Sequence, residues 1–198
     1  MGLIDEAMQN SKCIISVIGS HAGEGINNIL DRKKADIQKI GKTFWIVKSS
    51  TISPSEVQGI CNATPIYTLF IGPASKGGAK DTKNETVAKS YSEDYRIWHP
   101  LPEHLTPVTG KLDSQTTALV FDRIETGFDE MINLWDYSEQ DDQPLKLSLG
   151  RSTTHAIQKD PKNHPDRMKS PHRKLIAIAR LVKPYAVWVD SKLKFGVD

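Results

Sequence analysis

The sequence predicts a mixed α/β fold. A parallel β-α-β-α-β unit at the N-terminus continues into a mostly antiparallel, β-rich half with one late helix. Three observations predict it. Apolar runs rich in β-branched residues recur at 13–18, 43–49 and 65–72, and the stretches between them have helical spacing. Short, turn-linked runs then follow one another from residue 116 to residue 159. Finally, Ser170-Pro171 precedes an apolar stripe of Leu175, Ile178, Ala179 and Val182. The organisation read from this is an α/β half over 1–75, an irregular connection over 76–115 and a β-rich half over 116–198. One continuous mixed sheet could join the halves.

Each element has its own warrant. "CIISVI" (13–18) reads as a buried strand. Ile26, Ile29, Leu30, Ile37 and Ile40 recur at helical spacing, opposite a polar face, and Gly41 closes that helix. "TFWIVKS" (43–49) is a second strand. Ser53 is an N-cap, with Pro54 at the first helical position and Glu56 completing a capping box. "PIYTLFIG" (65–72) is a third strand. The prolines of 98–110 predict an irregular connection. "TTALVFDRIE" (116–125), "MINLWDYS" (131–138) and "PLKLSLG" (144–150) read as strands, and "THAIQK" (154–159) continues their ladder. Pro184 ends the late helix, and "AVWVD" (186–190) is the last strand.

The bulk properties narrow the function. At 198 residues and 38% hydrophobic, the chain can bury a real core. No apolar run approaches the ~18–20 residues of a membrane span, so no membrane partner is expected. The N-terminus lacks the basic and apolar regions of a secretory signal, and Glu6 stands where a myristoylation motif wants Ser or Thr. Cys13 and Cys61 make neither a zinc cluster nor a disulfide framework, so a reduced, cytoplasmic protein is expected.

The net charge of +2 hides an asymmetry. Residues 122–142 carry Asp122, Glu125, Asp129, Glu130, Asp136, Glu139, Asp141 and Asp142 against Arg123. Residues 159–174 carry Lys159, Lys162, Arg167, Lys169, Arg173 and Lys174 against Asp160 and Asp166. Lys162, Arg167, Lys169, Arg173 and Lys174 are the candidate nucleic-acid contacts, because lysine and arginine neutralise phosphates and release counterions. Trp98, Trp135 and Trp188 could stack bases. The alternatives are solvated loops, or two segments that pair with each other, within one chain or across a homo-oligomer.

The strand-to-helix turn holds Gly19, Gly23 and Gly25. A helix N-terminus presents free N–H groups, and glycine lets the backbone approach an anion, so these three are the candidate phosphate-binding residues. Their G-x-x-x-G-x-G spacing resembles the dinucleotide turn of short-chain dehydrogenases. The resemblance covers this turn alone, since no tyrosine is followed four residues later by the lysine that family uses. His21 and Glu24 lie inside the turn and are candidate catalytic residues, an acid–base imidazole beside a carboxylate. Arg151 and His155 are the others, an anion-binding fork and a proton carrier within "RSTTH". Asp190-x-Lys192 at a strand end resembles the motif of metal-dependent restriction-type nucleases, with Asp166 as the nearest acidic partner. The sequence identifies no metal site and no cofactor.

The leading expectation is an enzyme acting on a phosphate-bearing substrate, nucleic acid first, as a nuclease or modifying enzyme. A Rossmann-like enzyme that binds a small nucleotide is the alternative, and a non-catalytic binding or assembly module is the second.

Overall fold

The computed structural model describes residues 2–18, 26–47, 52–61, 66–72, 115–139, 145, 154–160 and 171–190. In chain order these form α1 (Leu3–Gln9), β1 (Lys12–Val17), α2 (Ile26–Ile40), β2 (Thr43–Val47), α3 (Pro54–Ile60), β3 (Tyr67–Ile71) and β4 (Gln115–Thr126). Then come β5 (Met131–Asn133), a 3₁₀ turn (Leu134–Asp136), β6 (Tyr137–Glu139), β7 (Thr154–Lys159) and β8 (His172–Asp190). The fold is mixed α/β, and the strands lie in one sheet in the order β2-β4-β8-β3-β1-β7-β6, with β5 on the start of β8.

Alternation along the strands builds two cores. Ile14 and Ile18 of the β1 segment face one side with Phe70 of β3, under Leu30 of α2 and Val57 of α3. Cys13, Ile15 and Val17 face the other side with Leu69 and Ile71, under Leu3 and Ala7 of α1. The central strands are covered on both faces, which is why their sequences read as unbroken apolar runs.

Local signals act as their chemistry dictates. Gly41 takes a φ of +83° and donates its N–H to the Ile37 carbonyl at 2.8 Å. Ser53 accepts from the Glu56 N–H at 3.3 Å while the Glu56 carboxylate accepts from the Ser53 N–H at 2.6 Å. Sequence reading did not foresee α1. Its Leu3 and Ala7 are one turn apart and buried, and Glu125 of β4 accepts its first N–H at 2.9 Å.

Three expectations change. First, β1 and β3 are parallel neighbours, but β2 pairs antiparallel with β4, and β4 and β8 stand between it and β3. A β-α-β-α-β pattern reports the order of elements and not which strand each one pairs with. Second, the late helix is absent: residues 172–190 form the single strand β8, antiparallel to both β3 and β4. Leu175, Ala177, Ile178, Ala179 and Leu181 are all buried. A strand stretch covered on both faces satisfies a helical spacing by coincidence, because every position from 175 to 179 is apolar. Pro184 follows a cis peptide within this strand and lacks a ladder N–H. The β4 register shifts beside it, from Leu119↔Ala186 to Phe121↔Leu181. Third, "MINLWDYS" divides into β5, the 3₁₀ turn and β6. Of "PLKLSLG" only Leu145 is described, and it is buried.

Among the described residues no helix is long and apolar enough to cross a membrane. Cys13 and Cys61 are free and buried, and burial pushes both thiols up to about 12.

Candidate functional site

Four chain junctions meet at one end of the sheet. β1 ends at Val17, and Ile18 donates its N–H to the Ile71 carbonyl at the end of β3, at 2.9 Å. β7 runs antiparallel to β1 and begins at Thr154, opposite Ser16. β8 runs antiparallel to β3, and Gly72, just past β3, donates to the Lys174 carbonyl near the start of β8 at 3.0 Å. The carboxyl ends of β1 and β3 therefore lie beside the amino ends of β7 and β8.

Polar side chains inside this end are held by specific contacts. Ser16 and Thr154 are buried and share a hydroxyl hydrogen bond of 2.9 Å, which satisfies both in a place water does not reach. One residue on, His155 stands opposite Ile15 on the α1 face of the sheet. Its Nδ1 is 3.6 Å from Glu139 of β6, and its Nε2 is buried with no hydrogen-bond partner among the described residues. Burial holds the imidazole below its ordinary pKa, and Glu139 opposes that shift. A neutral imidazole with one nitrogen beside a carboxylate is set up to accept a proton at the other.

The sequence-derived candidates divide sharply. Gly19, His21, Gly23, Glu24, Gly25, Arg151, Lys162, Arg167 and Lys169 lie outside the described residues. His155 is at the sheet end. Lys174 is exposed on β8. Arg173 is 4% exposed, so it is a buried strand residue and not part of an open loop. Its guanidinium donates to the His172 carbonyl at 2.9 Å. Lys159 lies in β7 and donates to the Met8 carbonyl. The acidic and basic segments do meet, since β5 pairs with residues 172–174 of β8. Among the described residues no group of three or more metal-ligating side chains is gathered.

Sequence reasoning missed a second polar cluster, on the α1 face. Tyr67, Arg180 and Arg123 are direct cross-strand neighbours on β3, β8 and β4. The Tyr67 hydroxyl donates to Glu6 of α1 at 2.7 Å, and Arg123 lies 3.6 Å from Glu6 and 2.9 Å from Glu125. Arg180 grips Asp122 through two bonds of 2.9 and 2.7 Å. Burial, and then the bond to Glu6, push Tyr67 up to about 12. The Asp122 contact raises Arg180 further. Two guanidiniums face each other here, and three carboxylates offset their repulsion. The cluster satisfies itself and ties α1 to the sheet. Partners up to 122 positions apart leave no local sequence signal.

The chain matches no protein-family model, no curated protein and no solved structure.

Proposed function

We propose that this protein acts on a phosphate-bearing ligand held beyond the carboxyl ends of β1 and β3, with nucleic acid as the ligand ahead of a free nucleotide. One topological observation supports the reading. The segments that carry the glycines, Arg151 and the basic cluster adjoin Ile18, Thr154 and His172, and strand pairing gathers those three residues at one sheet end. In open α/β sheets, ligands bind outside the carboxyl ends of the strands.

In this reading the backbone at Gly19, Gly23 and Gly25, with Arg151, takes one phosphate. Lys162, Arg167, Lys169 and Lys174 neutralise others, and Arg173 leaves that set because it is buried. His155 carries a proton in a hydrolytic step, with His21 and Glu24 as further acid–base groups. The parallel adjacency of β1 and β3 favours a second reading, a Rossmann-like enzyme for a small nucleotide. The engagement of Asp122, Glu125 and Glu139 by Arg180, Arg123 and His155 weakens the idea of assembly through the acidic segment. A cytoplasmic setting belongs to the same proposal, and alkylation of native protein followed by mass spectrometry tests it by counting two free thiols.

The deciding experiment is a thermal-shift titration with nucleotides and with oligonucleotides, on wild type and Gly23→Val. Stabilisation by oligonucleotides, lost in a variant that still folds, is the expected result. Stabilisation by nucleotides alone selects the second reading. No shift with any phosphate ligand, or a shift unchanged in Gly23→Val, overturns the site.

A further inference from the structure

We propose that α1 is a salt-sensitive strap, which leaves the sheet as one unit before the rest of the protein unfolds and bares the core face beneath it. No phosphate ligand enters this proposal. The seven residues of α1 include two buried side chains, Leu3 and Ala7, with Ile4 and Met8 partly covered. A helix this short is unstable without tertiary contacts. Its docking is therefore sensitive to the polar partners around it.

Among the described residues those partners converge on Arg123. Glu125 of β4 directs one carboxylate oxygen to the Arg123 guanidinium, at 2.9 Å, and with the other accepts the Leu3 N–H, at 2.9 Å. Glu6 of α1 directs one oxygen toward Arg123, at 3.6 Å, and with the other accepts from the Tyr67 hydroxyl, at 2.7 Å. One guanidinium thus orients the carboxylate that receives the start of α1 and pairs with the carboxylate that α1 carries. All three groups are partly open to solvent, Arg123 at 40%, Glu125 at 32% and Glu6 at 25%. Pairs of this kind are weak and are screened by salt. The Arg123–Glu125 pair and the repulsion between Arg123 and Arg180 lie within the sheet, so both persist when α1 is released. Glu6 is the charge that leaves.

At its other end α1 joins β1 through Asn10 and Ser11. Asn10 is extended backbone, with φ −79° and ψ 137°. The Ser11 carbonyl accepts from the Lys159 N–H at 2.7 Å, so the pairing of β1 with β7 starts here and does not need α1. Release is consequently local. It uncovers Cys13. That thiol shares the core under Leu3 and Ala7, and Lys159, whose charge acts on it, also donates to the Met8 carbonyl of α1. Cys61 is buried in the opposite core with Val57 of α3. The two thiols report on the two faces separately.

The test is alkylation of the native protein by iodoacetamide, an uncharged reagent, with each cysteine followed by mass spectrometry of its peptide. Cys13 is expected to react faster than Cys61 and with a shallower dependence on urea, because its opening exposes less surface. Added salt should accelerate Cys13. Arg123→Met should accelerate it at low salt by roughly 1.5- to fivefold, the range for one partly exposed ion pair, and should flatten its response to salt. Glu6→Gln should act in the same direction, which keeps the test open if Arg123→Met does not fold. Val57→Ala should accelerate Cys61 and leave Cys13 unchanged, since α3 packs alike whether α1 is docked or released. Both cysteines reacting at one rate with one urea dependence would mean that Cys13 is reached by global unfolding, and overturns the strap. Acceleration of Cys13 by Val57→Ala overturns it too, as does a Cys13 salt response that is the same in wild type, Arg123→Met and Glu6→Gln.

Discussion

The two faces of β8 solve the same problem by opposite means. Toward α2 and α3, β8 presents Ala177, Ala179 and Ala186, all fully buried. Ala177 lies opposite Phe70 of β3, and Ala179 opposite Ile124 of β4. These small side chains leave room above the central strand, and rings from three other strands fill it. Trp45 of β2 lies 5.0 Å from Phe70, and Phe70 lies 5.7 Å from Phe121 of β4 in an edge-to-face pair. Toward α1, the same strand presents Leu175 and Ile178 to the second apolar core, and then Arg180 between Tyr67 and Arg123. Around Arg180 the neighbours are joined by hydrogen bonds and ion pairs and not by volume. The first face should therefore be sensitive to size and indifferent to salt, and the Arg180 cluster of the second sensitive to charge and to salt.

Phe70→Ala should produce the largest effect. It removes the ring that joins the other two, and a buried phenylalanine truncated to alanine costs ~3–5 kcal/mol. Equilibrium denaturation should show this loss unchanged by added salt. Ala177→Leu tests the same face from below. Its side chain would occupy the space the rings use, and overpacking of this kind costs ~1–3 kcal/mol. A neutral outcome would mean that the space over β8 is not filled as described.

On the other face, Arg180→Met should cost about 1 kcal/mol. A paired charge with two hydrogen bonds is worth more than that when buried, but Arg180 is 35% exposed and solvent screens it. A double-mutant cycle with Asp122→Asn should find coupling that shrinks as salt rises. Coupling that ignores salt, or a Phe70→Ala effect that depends on it, would erase the distinction between the faces.

How much of this the sequence disclosed follows the range of each interaction. Gly41 and the Ser53–Glu56 box were legible because a cap is a contact between near neighbours. The buried strands of β1, β2 and β3 were legible from their β-branched, apolar runs. Strand partnership was not, because β2 finds β4 across a long stretch of chain and nothing local in "TFWIV" encodes that choice. The burial of residues 175–179 of β8 on both faces defeated periodicity, since a stretch apolar at every position fits both templates. At the site, His155 was noticed for its residue type, and its companion Glu139 was hidden among a run of acids. The Glu6–Tyr67–Arg123 contacts had no signal, because each residue by itself is an ordinary surface or strand residue.

The smallest expected effect joins the comparison to the site. His155 sits on the α1 face opposite Ile15 of the second core, and its imidazole is mostly buried with 16% of the side chain exposed. Burial holds its folded pKa below the ordinary 6.5, and Glu139 restores part of the loss. Below 6.5 the unfolded chain takes up a proton at this position more readily than the folded protein does. Folding stability must then rise with pH in the window between the lowered folded pKa and 6.5, and must be level above it. His155→Gln removes that titration and keeps a polar side chain of similar reach. The stability difference between wild type and variant should be constant above pH ~6.5 and should move against wild type as pH falls below it. Pairing with Glu139 as the dominant influence predicts the reverse, with wild type gaining on the variant as the imidazole becomes charged. Chemical denaturation of both proteins across that window, beside an NMR titration of the His155 ring, reads the sign directly. A folded pKa above 6.5 would make His155 a charged partner of Glu139, and so remove it as a neutral proton acceptor at the sheet end.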